Sequence, residues 1–224
     1  SLRWQALDWL AFRGSVGTTY RAPSATILTN TFVRGLTNAN GTWRANDQYG
    51  NPKLDPETAF TYSVGAMVNF GRFKATVDYW NFDFKDQLLL ESATDMLAAA
   101  FATTGPNVCT STDANYLALR NRFTFTGGCG RANVQSYRTQ YINGGEVKTA
   151  GVDFQASLDV GDLFGGALTT GFDGSYLLKY DEDAYTIEGV AAPVAGTSKR
   201  AGTYRASIFT GYNKLRANAF VNWS

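Results

Sequence analysis

The chain of 224 residues contains no histidine. Without an imidazole it has no Ser-His-Asp or Cys-His catalytic set and no His-ligated zinc or haem. Its two cysteines, Cys109 and Cys129, are too few for an all-cysteine zinc site or an iron–sulfur cluster. Because 20 Lys and Arg residues stand against 19 Asp and Glu residues, the net charge of +1 does not favour nucleic acid as a partner. We therefore expect no enzyme activity, no metal and no resident cofactor.

Long apolar runs are also absent. The longest uncharged segment, residues 96–112, holds one apolar stretch at 96–102, far shorter than the about 20 residues of a membrane-spanning helix. No secretory signal pattern opens the chain, and Ser1-Leu2-Arg3-Trp4 reads like the interior of a longer sequence. The chain is instead rich in glycine (23 residues) and in aromatic residues (14%), which favours strands and turns.

Alternation with a period of two predicts seven β-strands. Between residues 58 and 70 the even positions are mostly apolar, including Phe60, Val64 and Phe70, while the odd positions are largely small or polar. Residues 150–160 alternate in the same way. The predicted strands are residues 10–21, 58–70, 73–90, 150–160, 168–181, 203–212 and 215–224.

The predicted connections alternate between short and long. Gly71-Arg72 and Asn213-Lys214 fit two-residue hairpin turns, and residues 161–167 form a third short turn. The long connections are residues 22–57, 91–140 and 182–202. Successive antiparallel strands place all short turns at one end and all long loops at the other, as in outer-membrane barrels with short periplasmic turns and long extracellular loops. We therefore expect an all-β fold, an antiparallel transmembrane β-barrel segment.

A soluble β-sandwich also alternates apolar and polar residues. Aromatic residues near the strand ends and connections of this length favour the barrel. One predicted strand is irregular, because after Tyr79 the apolar positions shift to Trp80, Phe82 and Phe84. Two explanations remain open: a β-bulge, or a strand that rises above the bilayer.

Three segments, in order, resemble the TonB-dependent outer-membrane receptors. The first, residues 9–24, ends in Tyr20-Arg21-Ala22-Pro23-Ser24, and the second is Asn51-Pro52-Lys53-Leu54-Asp55-Pro56-Glu57. The third is Asn143 followed by residues 148–154, where Asp153 stands in place of the family's usual Glu. The prolines end strands where loops begin, and we expect an ion pair between Arg21 and Glu57 at the barrel mouth. The positions that carry the family motif are Arg21, Ala22, Pro23, Ser24, Asn51, Pro52, Leu54, Pro56, Glu57 and Gly151.

The resemblance implies a barrel of about 22 strands around an N-terminal plug, preceded by a TonB box. Residues 1–224 would then be about seven strands from the later part of one β-barrel domain, with the plug and TonB box missing. The implied location is the outer membrane of a Gram-negative bacterium, in contact with its lipid. The implied activity is import of a scarce solute, driven by the TonB-ExbB-ExbD system through the plug and TonB box.

The resemblance leaves the ligand open: an iron-siderophore, an oligosaccharide or a cobalamin-like molecule would each fit. A passive porin or structural outer-membrane barrel is the first alternative function. A soluble β-rich binding domain is the second.

The long connections hold the candidate functional residues. Cys109 and Cys129 lie 20 positions apart in the longest one, which would face the oxidising exterior, so we predict a disulfide; two free, buried thiols are the alternative. We also predict helices that begin after Ser92 and after Asp113. Arginine suits carboxylate, phosphate or catecholate-type ligands, and aromatic faces suit planar groups and sugars. The candidate ligand residues are Trp43, Arg44, Asp47, Tyr49, Arg120, Arg122, Phe123 and Arg131.

Charged residues within the predicted strands are expected to face the barrel interior or to contact the plug. These residues are Arg13, Asp153, Asp159, Asp173 and Arg205.

Overall fold

The computed structural model describes residues 1–39, 41–192 and 215–223. Long strands form one large sheet, and shorter strands and helices fill the long connections. In chain order the elements are β1 (Leu2–Leu7), β2 (Leu10–Arg21), β3 (Phe32–Ala39), β4 (Thr42–Tyr49), β5 (Glu57–Phe70), β6 (Phe73–Lys85), β7 (Leu88–Leu90), α1 (Ala93–Ala100), α2 (Ala114–Arg120), β8 (Phe123–Phe125), β9 (Val134–Asn143), β10 (Val147–Leu163), β11 (Gly166–Glu182), β12 (Thr186–Ile187), β13 (Val190–Ala191) and β14 (Leu215–Trp223). Within the described residues, no helix has the length and apolar character needed to cross a membrane.

Seven strands form one antiparallel sheet, which we call the wall. The strand order is β1-β2-β5-β6-β10-β11-β14, and every neighbouring pair is antiparallel. The sheet does not close on itself, so β1 and β14 are its edges within the described part of the chain. The predicted all-β, antiparallel architecture is confirmed.

The wall differs from the sequence prediction at its two edges. β1 was not predicted, although Leu2 and Trp4 alternate there with Arg3 and Gln5, and it pairs with β2 across a tight turn. The predicted strand 203–212 and the turn at 213–214 lie outside the described residues. β14 is hydrogen-bonded directly to β11.

The two-residue turns lie at one end of the wall. Phe70 and Phe73 face each other across Gly71-Arg72, as predicted. β10 and β11 are longer than predicted and meet at Phe164-Gly165, whose positive φ angles of 53° and 81° suit a tight hairpin turn. The predicted turn over residues 161–167 is therefore shortened to two residues. The long connections leave from the opposite end of the wall.

β6 ends earlier than predicted and contains no bulge. It stays in register with β5 from Phe73 to Lys85. Beyond it, Asp86 adopts a positive φ of 56°, and β7 joins a different sheet, so residues 73–90 are not one strand. The unbroken register excludes the β-bulge as the explanation of the shifted alternation after Tyr79. Bulges occur instead between β10 and β11.

One face of the wall presents large apolar side chains without protein cover. On this outer face Trp4 is 61% exposed, Val64 56%, Val77 51% and Phe172 50%. An apolar band of this kind is unfavourable in water and favourable against hydrocarbon. This outer face therefore favours contact with lipid, which argues against a soluble β-sandwich.

The long connections fold into a second unit, which we call the cap. Its main sheet has the order β3-β4-β9-β7, with β8 beside β9 and with β4 and β9 parallel. Hairpin β12–β13 of the third connection inserts Ile187, fully buried, into the core formed by the second. The buried residues of this core are Met96, Leu97, Ala99, Ala100, Val108, Leu119, Phe123, Val134, Tyr137, Ile187 and Val190.

The predicted local features of the cap are present. The Ser92 side chain accepts a hydrogen bond from Asp95 N at the start of α1, and Asp113 Oδ1 accepts one from Asn115 N at the start of α2. Cys109 and Cys129 form a disulfide. The sheet itself was not predicted, because residues 22–57 and 91–140 were interpreted as loops.

Candidate functional site

A row of mainly polar residues crosses the inner face of the wall. Residues opposite each other in a strand register lie on the same face, and the outer face carries the apolar band. The row takes one residue from each wall strand: Arg3, Arg13, Gly65, Asp78, Asp153, Ser175 and Arg216. The two faces therefore have opposite character along the whole width of the wall.

The central ion pair of this row spans a strand. Arg13 Nε donates to Asp78 Oδ1 at 2.6 Å and Arg13 Nη2 donates to Asp78 Oδ2 at 2.5 Å, although β5 runs between their strands. The residue between them is Gly65, where a Cβ would lie 2.7 Å from Val77 O and closer still to Asp78 Oδ1. Glycine at position 65 thus leaves room for a two-pronged ion pair that ties three strands together.

The inner face is concave and lines a cavity of about 660 Å³. Its charged lining residues are Arg13, Asp78, Asp153, Asp173 and Arg216. Ser175 Oγ donates to Asp153 Oδ1, and Asn218 Nδ2 donates to Asp173 Oδ2 at 3.1 Å. This paired, hydrophilic lining is typical of the water-filled side of a transmembrane barrel.

Three of the five residues expected to face the interior lie on this surface: Arg13, Asp153 and Asp173. Asp159 lies near the short-turn end, where its Oδ1 accepts a hydrogen bond from Gly161 N at 2.9 Å. Arg205 lies outside the described residues.

The predicted ion pair at the mouth of the wall is present. Arg21 Nη2 lies 2.6 Å from Glu57 Oε2, and the two residues are opposite in the β2–β5 register. The same carboxylate oxygen accepts a hydrogen bond from Leu88 N at 3.0 Å. Glu57 therefore connects the wall to the first strand of the cap that follows it.

The other motif segments also make structural contacts. Asn51 Nδ2 donates to Tyr141 O at 3.0 Å, while Asp55 and Asn143 exchange two hydrogen bonds of 2.9 Å. At Gly151 a Cβ would lie 2.8 Å from Tyr176 O and would meet the Trp80 indole, so glycine lets that ring cover the strand. The motif residues therefore have structural roles: Asn51 and Asp55 bind residues of β9, and Gly151 packs between strands of the wall.

Two candidate ligand residues are buried inside the cap. Arg122 is paired with Glu91 and lies 3.3 Å from Glu188 Oε1, while Gln140 N donates to Glu91 Oε2 at 2.8 Å. Burial raises the pKa of Glu91, and the Arg122 charge opposes that rise. Phe123 is 6% exposed and packs in the core. The expectation that Arg122 and Phe123 present surface to a ligand is thus corrected, because tertiary packing encloses both.

The other candidates are accessible but do not form one cluster. Trp43 is 65% exposed, Arg44 is half-buried with Nη2 3.5 Å from Ala132 O, and Arg120 and Arg131 are exposed on the cap. Trp43 lies on the same face of β4 as Asp47 and Tyr49, whereas Arg44 lies on the opposite face.

Asp47 and Tyr49 contact three residues that the sequence prediction missed. Arg34 holds Asp47 through two hydrogen bonds of 2.6 and 2.7 Å and keeps the pKa of that carboxyl below its usual value. Phe32 stacks on Tyr49 with ring centroids 5.0 Å apart, and Arg138 lies over the Tyr49 ring at 5.5 Å. The dipeptide Asn40-Gly41, which is favoured in two-residue hairpins, was the available signal.

No group of three or more His, Cys, Asp or Glu residues among the described residues is arranged to hold a metal ion. The two cysteines are committed to the disulfide.

Known proteins that resemble this chain include a curated relative and two solved structures. A stretch of 116 residues is 31% identical to the heme/hemopexin utilization protein C of Haemophilus influenzae, covering 47% of this chain and 16% of that protein. The siderophore receptor PirA from Acinetobacter baumannii is similar with a TM-score of 0.49 and 15% identity, over 99% of this chain and 32% of that chain.

A second similar structure is a double mutant of the Serratia marcescens hemophore receptor HasR in complex with its hemophore HasA and heme. It gives a TM-score of 0.48 and 16% identity, over 81% of this chain and 21% of that chain. The chain thus spans about a sixth of the curated relative, and a fifth to a third of these solved chains.

A family model described as the TonB dependent receptor-like β-barrel matches residues 1–224. Proteins of this family are outer-membrane transport receptors of Gram-negative bacteria and not enzymes. Since the match covers the whole chain, the chain belongs to the TonB dependent receptor-like β-barrel family.

Proposed function

We propose that the protein containing this chain imports a scarce iron chelate across the outer membrane, driven by the TonB-ExbB-ExbD system. The observation that carries this proposal is the two-faced wall with its structured loops at one end only. An apolar outer face meets lipid, a paired polar inner face lines an aqueous interior, and the cap lies at the end where a ligand from outside arrives.

The cap would select the ligand and the wall would enclose its passage. Accessible residues of the cap can contact a ligand, while the buried core keeps them in fixed positions. The residues proposed for ligand contact are Trp43, Arg44, Asp47, Tyr49, Arg120 and Arg131.

An iron chelate is favoured over an oligosaccharide or a cobalamin-like ligand by the relatives. The curated relative is named for heme and hemopexin utilization, and the similar structures are a siderophore receptor and a hemophore receptor. A flat or compact anionic chelate also suits a cap that presents arginine and aromatic side chains together.

Uptake by the full-length protein tests the proposal. A strain that lacks the gene is complemented with the full-length gene and supplied with ⁵⁵Fe as hemin or as a ferric siderophore under iron limitation. Uptake should require both the gene and an intact tonB gene, and oligosaccharide or cobalamin should not compete.

Two results would contradict the proposal. Gene-dependent uptake that persists without TonB would support the passive porin instead. Competition by oligosaccharide or cobalamin, but not by iron chelates, would leave TonB-dependent import in place and change the proposed ligand.

A further inference from the structure

Hairpin β12–β13 of the third long connection docks on the second one as a separate small element. Ile187 pairs with Val190 across a two-residue turn, and Glu188 and Gly189 in that turn have the positive φ angles of 51° and 79° that such a hairpin requires. Within the described residues the hairpin pairs with no strand of the wall or of the cap sheet. Its position therefore depends mainly on side-chain contacts.

The hairpin contacts both helices of the second connection. Ile187 is fully buried in the cap core. Gly189 lies close to α2, since a Cβ at this position would be 2.8 Å from the Asn115 side chain. The Tyr185 hydroxyl donates to Asp95 Oδ2 of α1 at 2.8 Å. One apolar anchor and two flanking contacts thus define where the hairpin docks.

A charged contact adds to these at the tip of the hairpin. Arg122 is paired with the buried Glu91, and its Nε lies 3.3 Å from Glu188 Oε1. In the part of the chain that the structure describes, no other cation lies within ion-pair distance of Glu91 or Glu188. Asp95, the carboxylate that α1 presents to the hairpin, is bound by the Tyr185 hydroxyl. Docking therefore brings a second carboxylate to a guanidinium whose charge already balances the first.

The surroundings of Glu91 make this contact sensitive to pH. Burial raises the pKa of Glu91 and the charge of Glu188 adds to that rise, while Arg122 and the hydrogen bond from Gln140 N oppose it. Both causes of the rise weaken when the hairpin leaves, because water then reaches the cap core and Glu188 moves away. The Glu91 carboxyl thus has a higher pKa in the docked form than in the detached form.

Acid favours the docked form. A group whose pKa is higher in one conformation stabilises that conformation when it is protonated. This contribution is fully present below the pKa that Glu91 has in the detached form, and it is lost as the pH rises through the higher pKa of the docked form. When Glu91 is neutral, Arg122 attracts Glu188 without a competing buried carboxylate.

We propose that hairpin β12–β13 is a detachable strap that holds the second and third long connections together, and that the Glu91–Arg122–Glu188 cluster tightens this strap in acid. Detachment would free the third connection from the second and open the cap core at the Ile187 site, while the strands of the wall keep their pairing. The strap controls the conformation of the cap and does not depend on which ligand is imported.

Hydrogen exchange of the full-length protein in detergent tests the strap. Exchange in residues 184–192, corrected for its intrinsic pH dependence, is compared between about pH 5 and about pH 8 and with exchange in residues 88–143 and in the wall. The variants are E91Q, which removes the titrating group, E188Q, which removes the charge at the tip, and I187A, which removes the apolar anchor. The matched control is D183N, which removes a carboxylate of the same connection that does not pair with Arg122.

The expected result is slower exchange of the strap in acid. In the unaltered protein and in D183N, residues 184–192 should exchange about three- to tenfold more slowly at about pH 5 than at about pH 8. E91Q should exchange slowly at both pH values, because Arg122 then pairs with Glu188 alone, and E188Q should show a smaller pH effect than the unaltered protein. I187A should accelerate exchange in this segment at least about tenfold, with a smaller change in residues 88–143 and none in the wall.

Four results would overturn the inference. The first is exchange of residues 184–192 in the unaltered protein that is equal or faster in acid, and the second is a full pH effect that persists in E91Q. The third is equal acceleration of residues 88–143 and 184–192 in I187A, which would show that the hairpin opens only together with the rest of the cap. The fourth is an unchanged pH effect in E188Q, which keeps the test decisive even if E91Q does not fold.

Discussion

The wall and the cap differ in what surrounds their apolar side chains. In the cap, Met96 and Leu119 are fully buried against other protein atoms, as in a water-soluble domain. In the wall, Val64 and Val77 are more than half exposed on a continuous outer face. One chain thus contains a unit that supplies its own apolar environment and a unit that relies on lipid for it.

Charges follow the same division. The cap encloses one ion pair, Glu91 with Arg122, each side chain at most 4% exposed. The wall places the Arg13–Asp78 ion pair on its polar inner face, where Arg13 is 47% exposed. Loss of Arg122 therefore leaves Glu91 in an apolar interior, while loss of Asp78 leaves Arg13 exposed to water.

The largest effect is expected from Arg122→Gln. The variant leaves the Glu91 carboxylate buried without its counter-charge, which costs about 3–5 kcal/mol of cap stability. Hydrogen exchange of the full-length protein in detergent should show loss of protection in residues 88–143 and unchanged protection in the wall. Because burial raises the pKa of Glu91, its protonation at low pH relieves the buried charge, and the loss should be smaller at about pH 5 than at about pH 8.

The double variant E91M/R122M is the control for this experiment. It removes both charges and keeps similar volumes, so most of the protection should return. Full protection in the single variant R122Q would contradict the comparison between cap and wall.

A pair of identical substitutions sharpens the comparison further. Leu119 is fully buried in the cap, and Leu119→Ala should cost the cap about 2–5 kcal/mol. Leu158 is 43% exposed on the outer face, and Leu158→Ala should cost the wall about 1 kcal/mol or less. The same exchange measurement, read separately for each unit, checks both values; equal losses would refute the distinction.

Gly65→Ala tests the packing of the wall. The added methyl group meets Asp78 and lies 2.7 Å from Val77 O, so the strands must shift at a cost of about 1–3 kcal/mol. The measurement is the temperature at which the folded, fast-migrating form is lost on an electrophoretic gel. Gly17→Ala on the neighbouring strand has no heavy atom within 4 Å of the new methyl group and serves as the matched control. Equal melting temperatures for the two variants would show that wall packing does not require glycine at position 65.

The smallest expected effect is the pH dependence of the stability of the β3–β4 hairpin. Arg34 lowers the pKa of Asp47 below its ordinary value of 3.8, so the ion pair stabilises the hairpin above that pH. As pH falls through the lowered pKa, Asp47 is protonated and this contribution is lost. Exchange rates in the hairpin, corrected for intrinsic pH dependence, should rise as the pH falls below 3.8, and Asp47→Asn should abolish that additional rise.

The wall was predictable from sequence because each strand faces two different media. Alternation such as Phe60, Tyr62 and Val64 is forced by lipid on one side and water on the other, so the pattern is visible without tertiary contacts. The helix starts at Ser92 and Asp113 were also predictable, because each N-cap side chain binds a backbone N–H no more than three residues away. The cap sheet was missed because its strands lie in regions that were interpreted only as loops.

Burial in the cap could not be predicted from local sequence. Arg122 and Phe123 are of the residue types that suit ligand contact, and nothing next to them indicates that Glu91, 31 residues earlier, encloses the arginine. Arg138 was missed for the same reason, since its relation to Tyr49 depends on the parallel pairing of β4 with β9. Long-range pairing, rather than composition, decides which arginine is accessible.

The docking of hairpin β12–β13 has a consequence for the assembly of the wall. Ile187 packs in the cap core, but along the chain β10 and β11 lie between Ile187 and the core residues of the second long connection. A slip of one residue in the β10–β11 register would turn the outer face inward and also displace Ile187 from its site. The correct β10–β11 register and the packed cap core therefore stabilise each other, so the cap core acts as a check on strand alignment in the wall.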